Sequence, residues 1–428
     1  MKKLLWIGCL SYLVIGLAHV IGGSIMEQMI EHYGVTYKDG GQWIMNQFLG
    51  FLVGVLFAPS LSSRMGKRGT VLVAMGLLTM SQAAYSLLMP WGWMLAIAPI
   101  AGIGFGMTEA IVGAMIIDLM KGKASAMSRL ETFFGLGALI IPITAAFLIG
   151  QHVWQLSFPI IAAMSGITFV MWLTFSFGSL DDQLGIPTNE DSIGNKKSGR
   201  VEDAHSALTK QDRNSDKRNR LRSLKNNGSW RDYPTRTIPF LALSALFFMV
   251  YVGIEMSFSN YLPSILITRT GMSESNATAT LSLFWGAVVF GRLFAGLLAE
   301  RLGYARYLLI TTIGAVFVFG LMVVTMDQIW MLVLIVLSGL CFSGIFGISL
   351  VYANGLLPGM TERTTSLLVA FGGLGGALFP KITGWMLDRY PIQSTMWYIG
   401  ILTFSMLVIL TIMLLLGRAQ YRSSALSK

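Results

Sequence analysis

Cysteine and histidine are scarce in this chain, and their positions exclude two kinds of chemistry. Two cysteines, Cys9 and Cys341, occur in 428 residues. Both lie in apolar runs, so we expect neither a disulfide framework nor a thiolate zinc site. The four histidines form no pair at metal-ligand spacing, and no nucleophile stands beside a base. The sequence therefore predicts no metal, no cofactor and no enzyme active site.

Charged residues are also few. They make up 12% of the chain, against roughly 25% in soluble domains, while 54% of residues are hydrophobic and the mean hydropathy is +0.65. Apolar runs of the ~20 residues that cross a bilayer predict an all-α membrane protein with twelve transmembrane helices. The predicted spans are 4–26, 43–62, 69–89, 93–119, 130–150, 155–178, 238–268, 277–297, 306–326, 329–352, 365–386 and 394–417.

The net charge of +10 is explained by topology. If both termini are cytoplasmic, fourteen basic residues fall at inner helix ends and short loops, and four fall outside. Such a bias is typical of membrane proteins. It favours a multi-pass protein in the lipid bilayer with both termini in the cytoplasm, and it disfavours a nucleic-acid partner.

An internal repeat predicts two halves. The segment PSLSSRMGKR (59–68) resembles GLLAERLGYA (296–305), and GLGALIIP (135–142) resembles GLGGALFP (373–380), at offsets of 237 and 238 residues. We therefore predict pseudo-symmetric six-helix halves at 1–178 and 237–417. Between them lies a polar segment, 179–236, too polar to bury a core. We expect it to be a cytoplasmic, largely disordered linker, and 418–428 to be a cytoplasmic tail.

The loop sequence GLLAERLG, with its degenerate copy SLSSRMGKR, resembles the cytoplasmic loop motif of the major facilitator superfamily. That resemblance implies the major facilitator fold and a loop whose acid and arginine latch the halves in the outward-facing state. The first copy departs from the motif at Pro59 and Ser63, and Asp118 is a candidate replacement acid. The alternative is that these residues are only positive-inside anchors and helix ends. The candidate gating residues are Arg64, Gly66, Lys67, Arg68, Asp118, Gly296, Glu300, Arg301 and Gly303.

Ionisable residues deep in a span are costly, and they are therefore candidates for function. Glu109 lies in the fourth predicted span, and burial disfavours its charged form, which suits a proton carrier. His19 is either a packing residue or a partner for Glu109. Arg292 is expected to be structural, pairing with an acid or with carbonyls near Glu300.

Glu255 lies near the middle of the seventh span, in YVGIEMSFSNYLPS (251–264). The repeat places it beside the position that matches His19, at the depth where transporters of this kind bind substrate. Carboxylate, amide and aromatic groups suit the hydroxyls and the apolar face of a sugar. The candidate substrate-binding residues are Glu255, Asn260, Tyr261, Gln47, Trp285 and Asn354. Each aromatic side chain has packing or interfacial anchoring as its alternative role.

A narrower resemblance rests on YVGIEMSFSNYLPS, GFGMTEAIVG, QFLGFLVGVLFAP and LETFFGLGALIIP. Together these segments are similar to the fucose/galactose/glucose:proton symporter group, in particular its bacterial glucose/mannose-type members. The resemblance implies uptake of a hexose-type sugar by alternating access, in a bacterial cell membrane, with the proton gradient as the only energy source. It also implies that Glu109 is the protonated acid. Fucose-type members carry an acid in the first span, where this chain has His19. We expect a monomer.

The main alternative is a proton-driven exporter of drugs or small metabolites. Such antiporters typically have an arginine in the fourth helix and a Gly-Pro pair in the fifth, and this chain has neither in its predicted spans. The 26 methionines and 25 phenylalanines, however, would suit an adaptable apolar cavity. A membrane enzyme or a sensor is less well supported, since no catalytic constellation or recognisable module is present.

Overall fold

A computed structural model describes residues 2–119, 124–178, 184, 237–357 and 361–426, and in these ranges the chain is helical without β-strands. The helices before the predicted linker are α1 (Lys2–Ser24), α2 (Met26–Tyr33), α3 (Tyr37–Ser86), α4 (Trp91–Leu119), α5 (Ala124–Gly150) and α6 (Ser157–Thr174). Those after it are α7 (Ile238–Thr270), α8 (Glu274–Leu302), α9 (Tyr304–Val324), α10 (Gln328–Phe342), α11 (Ile345–Leu356), α12 (Thr361–Arg389) and α13 (Ile392–Leu426). The predicted linker, except Leu184, lies outside the described residues.

Eleven helical stretches of the described chain are long and apolar enough to cross a membrane. One of them, α3, has 50 residues and is interrupted at Gly66, whose φ of 77° and ψ of 164° are not helical. It therefore carries the second and third predicted spans. Gly303, at the matching position of the repeat, has φ 84° and ψ 135° and separates α8 from α9. Both backbones lie in a region that glycine adopts without steric cost.

Several boundaries differ from those predicted. α5 begins at Ala124 rather than near 130, and α8 continues to Leu302 rather than 297. Polar residues are tolerated at such ends, so a helix continues beyond the apolar run that reveals it. The tenth span divides into α10 and α11 near Ser343 and Gly344. Glu131 therefore lies two turns inside α5 rather than at the second residue of the predicted span.

The described helices pack in two groups that touch chiefly along three interfaces. Within the first group α3 packs on α4 and α6, and α1 on α5; within the second, α7 and α9 pack on α13, and α8 on α10. The groups meet where α3 contacts α12, where α5 contacts α8, and where α1 contacts α7. The predicted all-α fold is confirmed, and the exact domain boundaries remain a prediction.

Contacts across two of these interfaces recur at the offset of the sequence repeat. Gly135 of α5 packs so closely on Val289 of α8 that a Cβ atom would collide with it, and Gly373 of α12 packs in the same way on Leu52 of α3. Gly373 follows Gly135 by 238 residues, and Val289 follows Leu52 by 237. Small residues at these positions let helix backbones approach closely.

Candidate functional site

A cavity of about 440 Å³ lies between the two groups of helices, and both contribute to its wall. This volume is within the range of roughly 300–1,000 Å³ that is usual for small-molecule sites. Its ionisable lining residues are His19, Glu109, Glu131, Glu255 and Arg292. Aromatic and apolar side chains form most of the remainder. Three carboxylates and one guanidinium therefore share one space, and charges at this depth are costly, which makes them candidates for function.

Glu109 is half-buried on α4 and lines this cavity, as predicted for a proton carrier. In the described part of the chain no hydrogen bond or ion pair reaches its carboxylate. Its backbone is held instead, because the Tyr12 hydroxyl donates to the Glu109 carbonyl oxygen at 2.9 Å. The side chain is thus left facing the cavity without a permanent partner.

His19 also lines the cavity, but it does not pair with Glu109 in this conformation. Its Nε2 atom lies 3.2 Å from Sδ of Met256, and the ring makes edge contacts with Phe48, Phe105 and Phe134 at centroid distances of 5.2, 5.7 and 5.6 Å. Met256 follows His19 by 237 residues. The repeat positions therefore touch each other between α1 and α7, and the contacts favour the packing role for His19.

Glu255 lies on α7 and faces the cavity with 6% of its surface exposed. The Tyr251 hydroxyl, one turn earlier, is 3.1 Å from its Oε1 atom and 3.2 Å from the Phe342 carbonyl oxygen. Trp285 of α8 also lines the cavity, and its indole nitrogen has no hydrogen-bond partner among the described residues. A carboxylate acceptor thus faces the cavity, and an unpartnered indole N–H lies buried in its wall.

An ion pair between Arg292 and Glu131 was not predicted from the sequence. Glu131 was not among the candidate residues, and Arg292 was expected to have a different partner. Nη1 of Arg292 on α8 lies 3.6 Å from Oε2 of Glu131 on α5, so the arginine pairs across the two groups rather than with a group near Glu300. It also acts electrostatically on Glu109 and Glu255. Glu131 was overlooked because the predicted fifth span began at residue 130. A helix start placed one to two turns earlier would have revealed it.

Four predicted substrate ligands do not line the cavity. The Asn260 amide donates to the Met256 carbonyl oxygen at 2.8 Å, and the Tyr261 hydroxyl donates to the Tyr37 carbonyl oxygen at 3.0 Å. At 100° per residue, both side chains leave α7 more than 90° away from Glu255. The Gln47 amide reaches the Ala18 carbonyl oxygen at 3.5 Å, and the Asn354 amide donates to Oγ1 of Thr365 at 2.9 Å. These side chains hold helices together in this conformation.

The end of the bundle predicted to be extracellular, here called the outer end, is closed by hydrogen bonds between the two groups. Asp388 of α12 accepts from the backbone nitrogens of Tyr37 and Lys38 at 2.9 and 2.8 Å, and so caps the first turn of α3. The Gln28 amide donates to Glu274 at 2.6 Å. The contacts between residues 24–42 and residues 261–388 are called the outer closure below. The Lys381–Gln42 and Tyr261–Tyr37 hydrogen bonds belong to it.

The opposite, inner end is the direction in which the cavity extends, toward Gly296, Leu350 and Val369. At this end Glu300 and Arg301 are exposed, and the structure shows no ion pair for either within its described ranges. The cavity is therefore closed outside and accessible from the inner end. An unengaged latch at Glu300 and Arg301 is consistent with that conformation.

The remaining loop-motif residues have separate roles. Arg68 donates to the carbonyl oxygens of Trp172, Leu173 and Phe175, at 3.0, 3.0 and 2.9 Å, and thereby caps the end of α6. Lys67 is half-buried and Arg64 is exposed. Asp118 lies at the end of α4, but its side chain is outside the described part, so its pairing with Arg64 or Lys67 remains a prediction.

The amino-acid sequence matches a family of membrane transporters and several individual relatives. The sequence profile of the Major Facilitator Superfamily matches residues 8–358 and 257–427. The glucose/mannose transporter GlcP of Bacillus subtilis is 28% identical over 405 residues, which cover 94% of this chain and 92% of that protein. The fosmidomycin resistance protein of Escherichia coli is 31% identical over 148 residues, 33% of this chain and 36% of that one.

A partially occluded, inward-open structure of the xylose transporter XylE from E. coli superimposes with a TM-score of 0.71 at 14% identity, covering 95% of this chain and 97% of XylE. The fold is thus shared over nearly the whole length of both chains. The profile match extends over most of the chain, including both groups of helices. Together with the cavity at their interface, it confirms a multi-pass membrane transporter rather than an enzyme: the chain belongs to the Major Facilitator Superfamily.

Proposed function

We propose that this transporter takes up a hexose together with a proton by alternating access. The observation that carries the proposal is the shared cavity, in which acids from both halves surround a space of about 440 Å³. The relative from B. subtilis, which matches over 94% of the chain, is a glucose/mannose transporter. Glucose and mannose are accordingly the first substrates to test.

Glu109 is the proposed proton carrier. It lies among apolar neighbours on α4 and has no partner for its carboxylate in the described residues, so removal of water disfavours its charged form. Such a group takes up a proton when the cavity faces the acidic side and releases it when the cavity faces the cytoplasm. Arg292, which acts on Glu109 across the cavity, favours that release because a nearby positive charge stabilises the carboxylate.

The proposed sugar ligands are Glu255, Trp285 and the cavity-facing groups beside them. A carboxylate accepts hydrogen bonds from two neighbouring hydroxyls, and hydrogen bonds to charged groups are worth about 1.5–3 kcal/mol. The indole N–H of Trp285, which is buried here and has no partner among the described residues, is the proposed donor, and its ring suits the apolar face of a hexose. Asn260, Tyr261, Gln47 and Asn354 are not part of this site in the present conformation.

Alternating access would proceed by rocking of the two halves about the cavity. The present conformation, with its outer closure made and the cavity open at the inner end, corresponds to release of substrate to the cytoplasm. We further propose that the protein acts as a monomer in the plasma membrane of a bacterium, with both termini cytoplasmic, 179–236 as a cytoplasmic linker and no cofactor beyond the proton gradient.

A second candidate is a proton-driven exporter. The observation that favours it is the apolar wall of the cavity, where Phe48, Phe51, Phe134 and Phe346 lie beside the charges. Aromatic walls accept hydrophobic drugs, and a third of the chain matches a fosmidomycin resistance protein. This wall and the acids are compatible with either direction of transport, so the direction must be measured.

The test is accumulation of labelled glucose and mannose in proteoliposomes that carry an imposed inside-alkaline pH gradient. We expect sugar to accumulate above the outside concentration and to leave when a protonophore is added. Sucrose serves as the control for leakage. Equilibration without accumulation, or no entry of either hexose, would contradict proton-coupled uptake, and gradient-driven loss of a preloaded drug would support the exporter.

A further inference from the structure

The ion pair between Glu131 and Arg292 connects the two halves at the cavity wall, and its geometry is loose. The Nη1–Oε2 distance of 3.6 Å exceeds the roughly 2.7–3.2 Å of a hydrogen bond. The Arg292 and Glu131 side chains are 28% and 40% exposed. Nη1 of Arg292 is itself buried and has no hydrogen-bond partner in the part of the chain that the structure describes. The pair is therefore attractive in this conformation but incompletely formed.

The fold does not require these charges, as the internal repeat shows. Subtracting the offset of 237 from Arg292 gives Val55 on α3, and adding 238 to Glu131 gives Val369 on α12. The α3–α12 and α5–α8 interfaces share the glycine contact described above, yet two valines stand at one interface where two charges stand at the other. Because charges at membrane depth are costly, their presence at one interface alone indicates a role other than packing.

Space beside the pair allows it to change length. Glu131 and Arg292 line a second cavity of about 40 Å³, together with Thr132, Val289 and Leu293. A polar space of this size holds about one water molecule. The pair thus lies between this small cavity and the main one.

We infer that Glu131 and Arg292 are positioning residues for transport: their attraction favours the conformation in which the inner end is closed and the outer end is open. The outer closure is complete here while the pair is beyond hydrogen-bond distance. Rocking of the halves about the cavity would break the outer closure and bring the inner ends together, which would shorten the pair.

This inference requires only that the chain is a transporter, and it does not depend on the substrate being a hexose. Its test therefore measures conformation without substrate. In a background with Cys9→Ala and Cys341→Ala, a single cysteine reports each end. Ser24→Cys reports the outer end. Ser24 is 1% exposed, and its carbonyl oxygen accepts a hydrogen bond from Oγ1 of Thr278 within the outer closure. Gly347→Cys reports the inner end, because Gly347 lines the cavity and a Cβ there meets no atom within 4 Å.

The measured quantity is the rate at which a membrane-impermeant maleimide labels each reporter from its own side. Partly exposed ion pairs contribute modestly, so loss of the pair by Glu131→Gln or Arg292→Gln should slow labelling of Ser24→Cys by about threefold. Labelling of Gly347→Cys should not fall. The charge-exchanged variant, Glu131→Arg with Arg292→Glu, should return the Ser24→Cys rate to that of the parent.

Two further variants separate the charges from packing and folding. The double variant Glu131→Val with Arg292→Val copies the matching positions of the α3–α12 interface, so it should fold and should label like the single variants. Arg306→Gln, which removes an exposed arginine at the start of α9, should label like the parent. Parent-like labelling in the double-valine variant, or no recovery in the folded charge-exchanged variant, would overturn the inference. Failure of hexose transport alone would leave these rates, and hence this inference, unaffected.

Discussion

Replacement of Gly384 by alanine should open the outer end of the transporter. Gly384 lies on α12 against the start of α3, and a Cβ atom there would stand 2.7 Å from the carbonyl carbon of Tyr37 and closer still to its oxygen and to the Tyr261 hydroxyl. Carbon atoms in favourable contact are about 3.5–4.0 Å apart. The two helices must therefore separate by about 1 Å, because the obstructing atoms of Tyr37 are backbone and cannot rotate away.

The size of the effect follows from this overlap. Overpacking a close contact costs about 1–3 kcal/mol, and about 1.4 kcal/mol corresponds to a factor of ten. The cost falls only on the conformation in which the outer closure is made, so the ratio of outward-open to outward-closed molecules should rise about 5- to 150-fold. The hydrogen bond from Tyr261 to Tyr37, which crosses the same contact, should be lost with it.

The assay is maleimide labelling of Ser24→Cys from outside, which should become faster by that factor up to the limit set by the exposed thiol. Gly320→Ala is the matched control: it is also a helical glycine, on α9, but a Cβ there meets no atom within 4 Å. The gain in helix propensity is common to both variants. Equal labelling rates for Gly384→Ala and Gly320→Ala would refute the reasoning.

Three further outcomes are expected. Glu109→Gln should abolish accumulation of sugar against its gradient but preserve counterflow exchange, since the amide mimics the protonated carboxyl; intact uphill uptake would exclude Glu109 as the carrier. Glu255→Ala should weaken hexose binding about 10- to 100-fold, from the loss of a charged hydrogen bond, as measured by calorimetry; unchanged affinity would remove Glu255 from the site. Outside the membrane spans, burial raises the pKa of Glu27 although the Tyr37 hydroxyl donates to it at 2.8 Å and so opposes the shift. Because the folded protein then holds a proton that the unfolded chain releases, the free energy of unfolding should fall as pH rises from the ordinary glutamate range through the raised pKa. Melting curves of Glu27→Gln should lack this slope, and parallel pH profiles for the two proteins would contradict the assignment.

The architecture could be predicted from the sequence alone because each membrane-spanning helix is a long apolar run. Every backbone group must be satisfied within the bilayer, so long apolar runs are helices. The recurring motifs around Gly66 and Gly303 then fixed the order of the repeat, and both glycines have the positive φ that a break requires. The continuation of helical structure through residues 63–68 on both sides of Gly66 and the early start of α5 were not predicted, since hydropathy marks the hydrocarbon region and not the ends of a helix.

The candidate site could be predicted only in part. Glu109 and Glu255 were conspicuous in the sequence because a charge deep in a span is costly, Trp285 was chosen for its aromatic and hydrogen-bonding groups, and all three line the cavity. Asn260 and Tyr261 were assigned to the same site, although they point away from the cavity. Their direction depends on how α7 is rotated against its neighbours, and an almost uniformly apolar helix carries little information about rotation. Side-chain contacts such as the Glu131–Arg292 pair join residues 161 positions apart, which no local pattern reveals.

If sugar and proton cross the membrane together, entry of sugar must carry protons into a vesicle. Proteoliposomes without a pH gradient are loaded with a pH-sensitive dye, and glucose or mannose is added outside. Downhill entry of sugar should acidify the lumen with the parent protein and should leave the lumen pH unchanged with Glu109→Gln. Entry of labelled sugar through the parent protein without acidification would contradict the account.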